Sequence, residues 1–138
     1  RQAQRREERE ALERAMAELT FLGLDKQADI ASNSLSYGNQ RLLEIARALT
    51  TQPRLLILDE PAGGMNEQET AALVQLIRKI RERGITVLLI EHDMGLVMEV
   101  CEKLVVIEYG IKIAEGAPAE IKENPRVIEA YLGTQDDE

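Results

Sequence analysis

The sequence predicts an α/β fold in which parallel strands are flanked by helices, with a β-hairpin near the C-terminus. Two short apolar runs, residues 55–58 and 85–90, are separated by a segment with helical apolar spacing, which is typical of a strand–helix–strand unit. Because both runs are continuously apolar, we expect each strand to be buried on both faces. Two further strand candidates, residues 104–107 and 111–114, flank a Tyr-Gly pair typical of a hairpin turn.

The N-terminal segment has a strong helical pattern. We predict a helix up to about residue 22, with Leu12, Met16 and Leu19 on its apolar face and Gly23 as its C-terminal cap. Its arginines alternate with glutamates at spacings that favour local ion pairs, which indicates a solvated helix face. Residues 25–34 are polar and mixed, and predict a short helix or a loop.

Further helices are predicted between and after the strands. One covers residues 38–49, and the next begins at a capping pair formed by Asn66 and Glu69 and closes at Gly84. A helix also follows the second apolar run, and short helices finish the chain. The expected core positions of the first two are Leu42, Ile45, Ala46, Leu49, Leu73, Leu76, Ile77 and Ile80.

Composition bounds the class of protein. The chain has 138 residues, enough for one modest domain, and a net charge of −8, which argues against a dedicated nucleic-acid binder. No apolar stretch is long enough to cross a bilayer, so the sequence predicts a soluble domain. Its single cysteine excludes a disulfide within the chain.

Polar residues follow both apolar runs: Asp59 and Glu60 after the first, and Glu91, His92 and Asp93 after the second. Ligands of open α/β sheets bind beyond the carboxyl ends of the strands, so we expect these groups at one sheet edge. One carboxylate can hold Mg²⁺, usually through water, and the next can orient or deprotonate an attacking water. Alternatively, Asp59 and Glu60 are loop residues. A lone histidine, such as His92, is more often structural than catalytic.

The stretch LSYGNQR begins at Leu35, where the second helix is expected to start. Ser36 and Gly38 lie at a helix N-terminus, whose free amides and positive dipole end form an anion site. Gly38 would let a phosphate approach the backbone closely. The alternative is an ordinary N-cap, which Ser36 or Ser34 would supply.

Three motifs in a fixed order are more specific than any one of them. LSYGNQRLLEIARAL, RLLILDEP and GITVLLIEHDM occur in this order and spacing, and there the sequence resembles the ATPase subunits of ABC transporters. The resemblance covers residues 10–133. It implies a partial P-loop NTPase fold, with a helical segment that carries the signature motif of the family.

The resemblance implies roles for individual residues. RLLILDE resembles Walker B, which makes Asp59 the Mg²⁺-associated residue and Glu60 the catalytic carboxylate, and His92 matches the switch histidine. In the family, the signature motif binds the γ-phosphate of ATP held by the opposite subunit of a head-to-tail dimer. Its residues here are Ser36, Tyr37, Gly38 and Asn39. The D-loop, which contacts the partner subunit, falls at residues 62–66 and includes Gly63, Gly64, Met65 and Asn66.

Some positions depart from the commonest family pattern. Tyr37 replaces a glycine and Asn39 a glutamine in the signature, and Asn66 replaces the usual D-loop aspartate. The tyrosine, the D-loop asparagine, the IEHDM segment and the ending NPRVIEAYLG resemble subunits that serve branched-chain amino-acid importers. Asn39 and Leu42 are less typical even there.

No G-x-x-x-x-G-K-[ST] phosphate-binding loop (Walker A) occurs in the sequence, and the Q-loop of the family is missing too. Complete family members are nearly twice as long, so we expect this chain to be the C-terminal part of such a subunit. Residues 1–50 would then be the helical signature segment, and residues 51–138 the C-terminal part of the RecA-like core. By itself the piece is expected neither to bind ATP tightly nor to hydrolyse it, and to leave apolar surface uncovered.

The predicted function is the ATPase subunit of an importer for branched-chain or related amino acids, using ATP and Mg²⁺. The expected partners are a second ATPase subunit and transmembrane permease subunits, at the cytoplasmic face of the inner membrane, and no nucleic acid. The alternatives are an exporter ATPase of the lipopolysaccharide-export type, an ABC ATPase acting on DNA or ribosomes, and a non-catalytic interaction module. The acidic charge argues against the second, and retention of Asp59, Glu60 and His92 argues against the third.

Overall fold

The computed structural model describes residues 1–132. The chain forms two compact units, one from Arg1 to Leu88 and one from Leu89 onward. No helix among the described residues is both long enough and apolar enough to cross a membrane. The mixed α/β architecture confirms the predicted fold class.

Helix α1 (Gln2–Phe21) ends where the sequence predicted. Gly23 adopts a φ of +75°, and its N–H donates to the Thr20 carbonyl at 3.0 Å, while the N–H of buried Leu24 donates to the Leu19 carbonyl at 2.8 Å. This pair of bonds is a Schellman motif, which needs a residue that tolerates a left-handed conformation after the helix. Two 3₁₀ turns, Asp25–Gln27 and Ser32–Ser34, then lead towards the second helix.

The buried residue of α1 is a glutamate rather than a member of the expected apolar stripe. Leu12 is exposed, and Met16 and Leu19 are only half-buried, whereas Glu18 is buried. Both carboxylate oxygens of Glu18 accept hydrogen bonds from the Arg83 guanidinium, at 2.7 Å each. Arg83, 65 positions away, binds the carboxylate with two hydrogen bonds and so offsets the free-energy cost of burying its charge. Helical periodicity cannot reveal a partner so distant in the sequence.

The rest of the first unit contains α2 (Tyr37–Leu49), β1 (Leu55–Asp59) and α3 (Glu67–Glu82), and β2 (Thr86–Ile90) follows. The parallel strands β1 and β2 form a two-stranded sheet. Most of the predicted core positions of α2 and α3 are buried, with Leu42 half-buried. Their shared apolar spacing therefore identified the correct helix faces. The buried members are Ile45, Ala46, Leu49, Leu73, Leu76, Ile77 and Ile80.

The prediction that the two apolar strands are buried on both faces is wrong for the described chain. On β1, Leu56 and Leu58 are 5% and 6% exposed, whereas Leu55 and Ile57 are 53% and 56% exposed. Leu88 on β2 is exposed as well. A continuous apolar run shows that the side chains on both faces of a strand are suited to burial. Each face is buried only if other parts of the protein pack against it. The exposed face agrees with the expectation of uncovered apolar surface.

The second unit contains α4 (Met94–Val100) and an antiparallel hairpin of β3 (Leu104–Glu108) and β4 (Ile111–Gly116). Tyr109 and Gly110 both have positive φ, as a two-residue hairpin turn of type I′ requires, so the predicted turn is confirmed. A bulge lies between Val106 and Ile107.

Side-chain contacts organise both the hairpin and the C-terminal helical turns. Lys103 and Lys112 flank Glu115 at 2.6 and 2.8 Å, and their hydrogen bonds lower the pKa of Glu115 to about 2. After the hairpin come α5 (Pro118–Glu123), α6 (Pro125–Val127) and a turn of π-helix (Ile128–Leu132). The Tyr131 hydroxyl in that turn donates to the Ile107 carbonyl at 2.6 Å, which ties the π-helical turn to β3 beside its bulge.

Truncation of the two neighbouring leucines of β1 should have unequal effects on the 138-residue chain. Leu56→Ala removes a buried side chain and should lower the free energy of unfolding by about 2–4 kcal/mol. Leu55→Ala, on the exposed face, should cost at most about 1 kcal/mol. Urea unfolding followed by circular dichroism measures both. Equal losses would contradict the one-sided burial of β1.

Removing the Glu18 carboxylate should destabilise the chain in a pH-dependent way. The hydrogen bond from Arg83 holds the pKa of Glu18 below its usual 4.5. A depressed carboxyl pKa contributes stability at neutral pH that is lost as the pH falls below about 4.5 towards the folded-state value. Glu18→Gln should therefore cost about 2 kcal/mol at pH 7, and the difference from wild type should shrink in acid.

The matched control is Glu10→Gln. Glu10 pairs with Arg6 at 2.8 Å on the exposed face of the same helix, and such surface pairs contribute less than about 1 kcal/mol. Unfolding free energies measured from pH 7 to pH 3 would separate the two variants. A Glu18→Gln loss that is the same at every pH would contradict the role of the ionised carboxylate.

Candidate functional site

The end of β1 carries the predicted Walker B carboxylates. Asp59 is the last residue of the strand, and both Asp59 and Glu60 are exposed. Glu60 has a φ of 45°, in the left-handed region that non-glycine residues rarely adopt. Such strain persists only where the surrounding structure holds it, and it is often found at functional sites. Here it turns the chain sharply out of the strand, directly at the residue predicted to be catalytic.

The loop formed by residues 62–66, the predicted D-loop, connects this turn to α3. The Gly63 N–H donates to the Glu60 carbonyl at 3.1 Å, and the Met65 N–H to the Ala62 carbonyl at 3.0 Å. Gly64 has a φ of +77°. These consecutive turns are short and internally hydrogen-bonded, so the loop has little freedom of its own.

Asn66 ends the loop and caps α3, as the sequence predicted. Its Oδ1 accepts the Glu69 N–H at 2.9 Å, and Glu69 Oε2 accepts the Asn66 N–H at 3.0 Å. This reciprocal capping box satisfies two backbone donors that would otherwise be free. The Glu69 carboxylate is therefore held in one position at the start of α3.

The predicted signature residues form the start of α2. Ser36 is the N-cap, and its Oγ accepts the Asn39 N–H at 3.3 Å. The Asn39 side chain donates to Gln27 Oε1 at 3.1 Å, which ties the helix start to the first 3₁₀ turn, Asp25–Gln27. The N-cap alternative is thus realised in the structure. The Ser36 side chain accepts the Asn39 amide, so the cap by itself does not exclude an anion site at the other amides.

Tyr37 is the first residue of α2 and is half-exposed. Its hydroxyl accepts hydrogen bonds from Arg41 Nε at 3.1 Å and Nη2 at 2.8 Å, and the guanidinium carbon lies 5.2 Å from the ring centroid. These bonds raise the pKa of Arg41. The ring is thereby anchored to its own helix.

The start of α2 packs directly against the loop and the start of α3. A Cβ added to Gly64 would lie 2.8 Å from Tyr37 Cε1, so the tyrosine ring covers this glycine. A Cβ added to Gly38, which is buried, would lie 2.7 Å from Glu69 Oε1. The structure therefore brings the predicted signature residues and the predicted D-loop together within the first unit.

His92 belongs to the second unit, between β2 and α4. The imidazole is exposed, and its Nδ1 lies 4.0 Å from Oε2 of Glu91, whose side chain is buried. The next residue, Asp93, caps α4 by accepting the Leu96 N–H at 3.0 Å. The expected meeting of His92 with Asp59 and Glu60 at one sheet edge stays a prediction.

The described residues include groups that suit the Mg²⁺ ion and a phosphate of a magnesium nucleotide. Among residues 1–132, no group of three or more His, Cys, Asp or Glu side chains could hold a metal ion. Mg²⁺ is commonly bound through one or two carboxylates, water and substrate phosphates, and exposed Asp59 suits that mode. The amides at the start of α2 suit a phosphate group. Full enclosure of a nucleotide would need groups beyond these.

Glu69 and Arg41 are contact residues that sequence reasoning did not assign to the site. Glu69 was predicted only as a capping partner of Asn66, and its contact with Gly38 joins positions 31 residues apart (69 − 38). No local pattern links those two positions. Arg41 lies four residues after Tyr37, a helical neighbour spacing, which is a signal that could have identified it.

Two family models match the chain. The model of the ABC transporter family matches residues 1–63, which contain the predicted signature and Walker B motifs and Gly63. A model described as branched-chain amino acid ATP-binding cassette transporter matches residues 112–137.

Similar proteins are branched-chain amino acid transport ATP-binding proteins. BraF from Pseudomonas aeruginosa is 52% identical over 130 residues, which is 94% of this chain and 51% of BraF. LivG from Escherichia coli is 48% identical over 130 residues, again 94% of this chain and 51% of LivG. The chain thus spans about half the length of these curated relatives.

The fold agrees with solved structures. A crystal structure described as the ADP conformation of an ATP-binding cassette of an ABC transporter superposes with a TM-score of 0.82 at 34% sequence identity. The match covers 90% of this chain and 50% of the other. Since motifs, family models, relatives and fold all agree, the chain belongs to the ABC transporter ATP-binding family.

Proposed function

We propose that the gene product containing this chain is an ATP-hydrolysing subunit that powers an ABC transporter for branched-chain or related amino acids. The observation that carries the proposal is the contact between the start of α2 and residues 62–69. It joins the segment that resembles the signature motif to the segment that resembles the D-loop on one side of the first unit. The identity of about half of all aligned positions with BraF and LivG supports the substrate class.

In this proposal each site residue has a chemical task. Glu60, turned out of the strand by its left-handed backbone, orients and deprotonates the attacking water. Asp59 would hold Mg²⁺ through water, and the bound ion would supply positive charge against the charge that develops on the phosphate. Ser36 and Gly38 present the α2 amides to the γ-phosphate of ATP held by a second subunit, with Tyr37 and Asn39 beside them. His92 senses the γ-phosphate of the ATP that Glu60 helps to hydrolyse.

The assembly proposed is that of the family. Gly63, Gly64, Met65 and Asn66 would contact a second ATPase subunit, and permease subunits would hold the pair at the cytoplasmic face of the inner membrane. Family membership implies nucleotide binding and membrane permease partners. Residues 1–50 would form the helical signature segment, and residues 51–138 the C-terminal part of the RecA-like core.

Glu60→Gln should abolish ATP hydrolysis by the complete gene product, because the amide cannot accept a proton from water. We expect kcat to fall at least about 100-fold while nucleotide binding persists. Phosphate release and equilibrium binding of a fluorescent ATP analogue would measure the two effects. Glu67→Gln, an exposed acid in the first turn of α3, is the matched control and should retain wild-type turnover. Unchanged hydrolysis by Glu60→Gln would refute the proposed mechanism.

The 138-residue chain alone should show no ATP turnover above background, because its sequence has no Walker A loop to cradle the phosphates. The same phosphate-release assay on the purified chain tests this. Turnover that disappears in the Glu60→Gln variant of the purified chain would overturn the expectation.

A further inference from the structure

The space beside the Gly38 Cα is filled from within the chain. Glu69 Oε1 would lie only 2.7 Å from a Cβ at this position, closer than real Cβ atoms approach other heavy atoms, and the carboxylate carbon would lie at 3.2 Å. The far end of a glutamate usually moves aside easily. Whether Gly38 can be replaced therefore depends on how firmly the Glu69 carboxylate is held.

Several interactions hold that carboxylate. Its second oxygen accepts the Asn66 N–H at 3.0 Å, as one half of the capping box. Its charge also lies in the first turn of α3 and beside the first turn of α2, and the positive ends of both helix dipoles favour an anion there. Displacing Glu69 would thus break the cap of α3 and remove a favourable charge from two helix starts.

A second contact joins the same two segments independently. The Tyr37 ring lies against Gly64, with two ring carbons 2.8 and 3.3 Å from the position of a Cβ. Arg41 fixes the ring through two hydrogen bonds to its hydroxyl. The left-handed backbone of Gly64, with a φ of +77°, already favours glycine, and the ring leaves no space for a side chain.

We propose that Glu69 is a positioning residue, which sets the signature segment, residues 35–39, against the loop formed by residues 62–66. Its carboxylate caps α3 with one oxygen and supports Gly38 with the other. The phosphate-facing start of α2 and the loop after the catalytic carboxylate thereby keep one relative position. The proposal rests on the proposed function, since it assigns Glu69 a role in the site formed by residues 36–39.

Two different reasons for a glycine at position 38 can be separated by mutation. If Gly38 is needed only for close approach of a phosphate, Gly38→Ala should harm turnover whatever occupies position 69. If the Glu69 carboxylate is the obstacle, removing that side chain should make room for the alanine. A double-mutant cycle between the two positions distinguishes these cases.

The experiment measures kcat and melting temperature for Gly38→Ala, Glu69→Ala and the double variant of the complete gene product. Misplacement of a positioned group by about an ångström can cost on the order of 100-fold in rate, so each single variant should lose roughly 10- to 100-fold in kcat. The double variant should be no slower than Glu69→Ala alone. Glu69→Gln keeps the length and the acceptor oxygen that a capping box uses, and should recover most of the loss.

Glu67→Ala is the control, because Glu67 is an exposed acid in the same helical turn, whereas the atoms nearest to a Cβ at Gly38 all belong to Glu69. Its kcat should equal that of the wild type. The proposal would be overturned if the kcat losses of the two single variants multiply in the double variant. It would also be overturned if the effects of the two substitutions are non-additive for the melting temperature but independent for kcat, because the contact would then be purely structural. If Glu60→Gln leaves hydrolysis unchanged, the proposed function itself fails, whereas multiplying losses with an inactive Glu60→Gln variant refute only the role of Glu69.

Discussion

The paired hydrogen bonds between Glu18 and Arg83 join the first helix of the chain to the residue that ends α3. Helix α1 packs against α2, so this ion pair also limits where α2 can lie. The start of α2 in turn contacts the start of α3 through Gly38 and Glu69. Both ends of α3 are thus attached to the other helices of the first unit, by an ion pair to α1 at its C-terminal end and by the Glu69 carboxylate beside α2 at its N-terminal end.

The ion pair is stabilising only as a complete unit. A buried carboxylate without a partner would cost several kcal/mol, whereas the bidentate guanidinium satisfies both oxygens at 2.7 Å. Arg83 also lies 4.6 Å from the Phe21 ring centroid, and its side chain keeps partial contact with solvent. The arginine is therefore held between an acid and an aromatic ring of the same helix. These two contacts both stabilise the packing of α1 against the end of α3 and fix its orientation there.

Around the candidate site, backbone conformation and side-chain packing act together. Glu60 and Gly64 both adopt positive φ, and the capping box of Asn66 and Glu69 follows immediately. A strand end, two tight turns and a capped helix leave the segment few alternative arrangements. The Tyr37 ring and the Glu69 carboxylate then occupy the space beside Gly64 and Gly38, so a side chain at either position would fit only if the ring or the carboxylate moved.

Much of this organisation was predictable because it is local. The buried faces of α2 and α3, the capping pair at Asn66, the glycine that ends α1 and the hairpin turn at Tyr109 depend on residues a few positions apart, and each was found where expected. The ordered motifs likewise identified the family from the sequence. They assign roles to Asp59, Glu60 and His92, and those roles remain proposals because they depend on groups and partners beyond the described chain.

By itself, the sequence determined which segments become the main helices and strands and which family the chain belongs to. Only the tertiary structure decided that Glu18 is the buried residue of α1, that β1 is covered on one face, and that Glu69 supports Gly38. The physical reason is the same in each case. Burial and packing depend on which distant residue occupies the neighbouring space, and neither apolar periodicity nor a local motif contains that information.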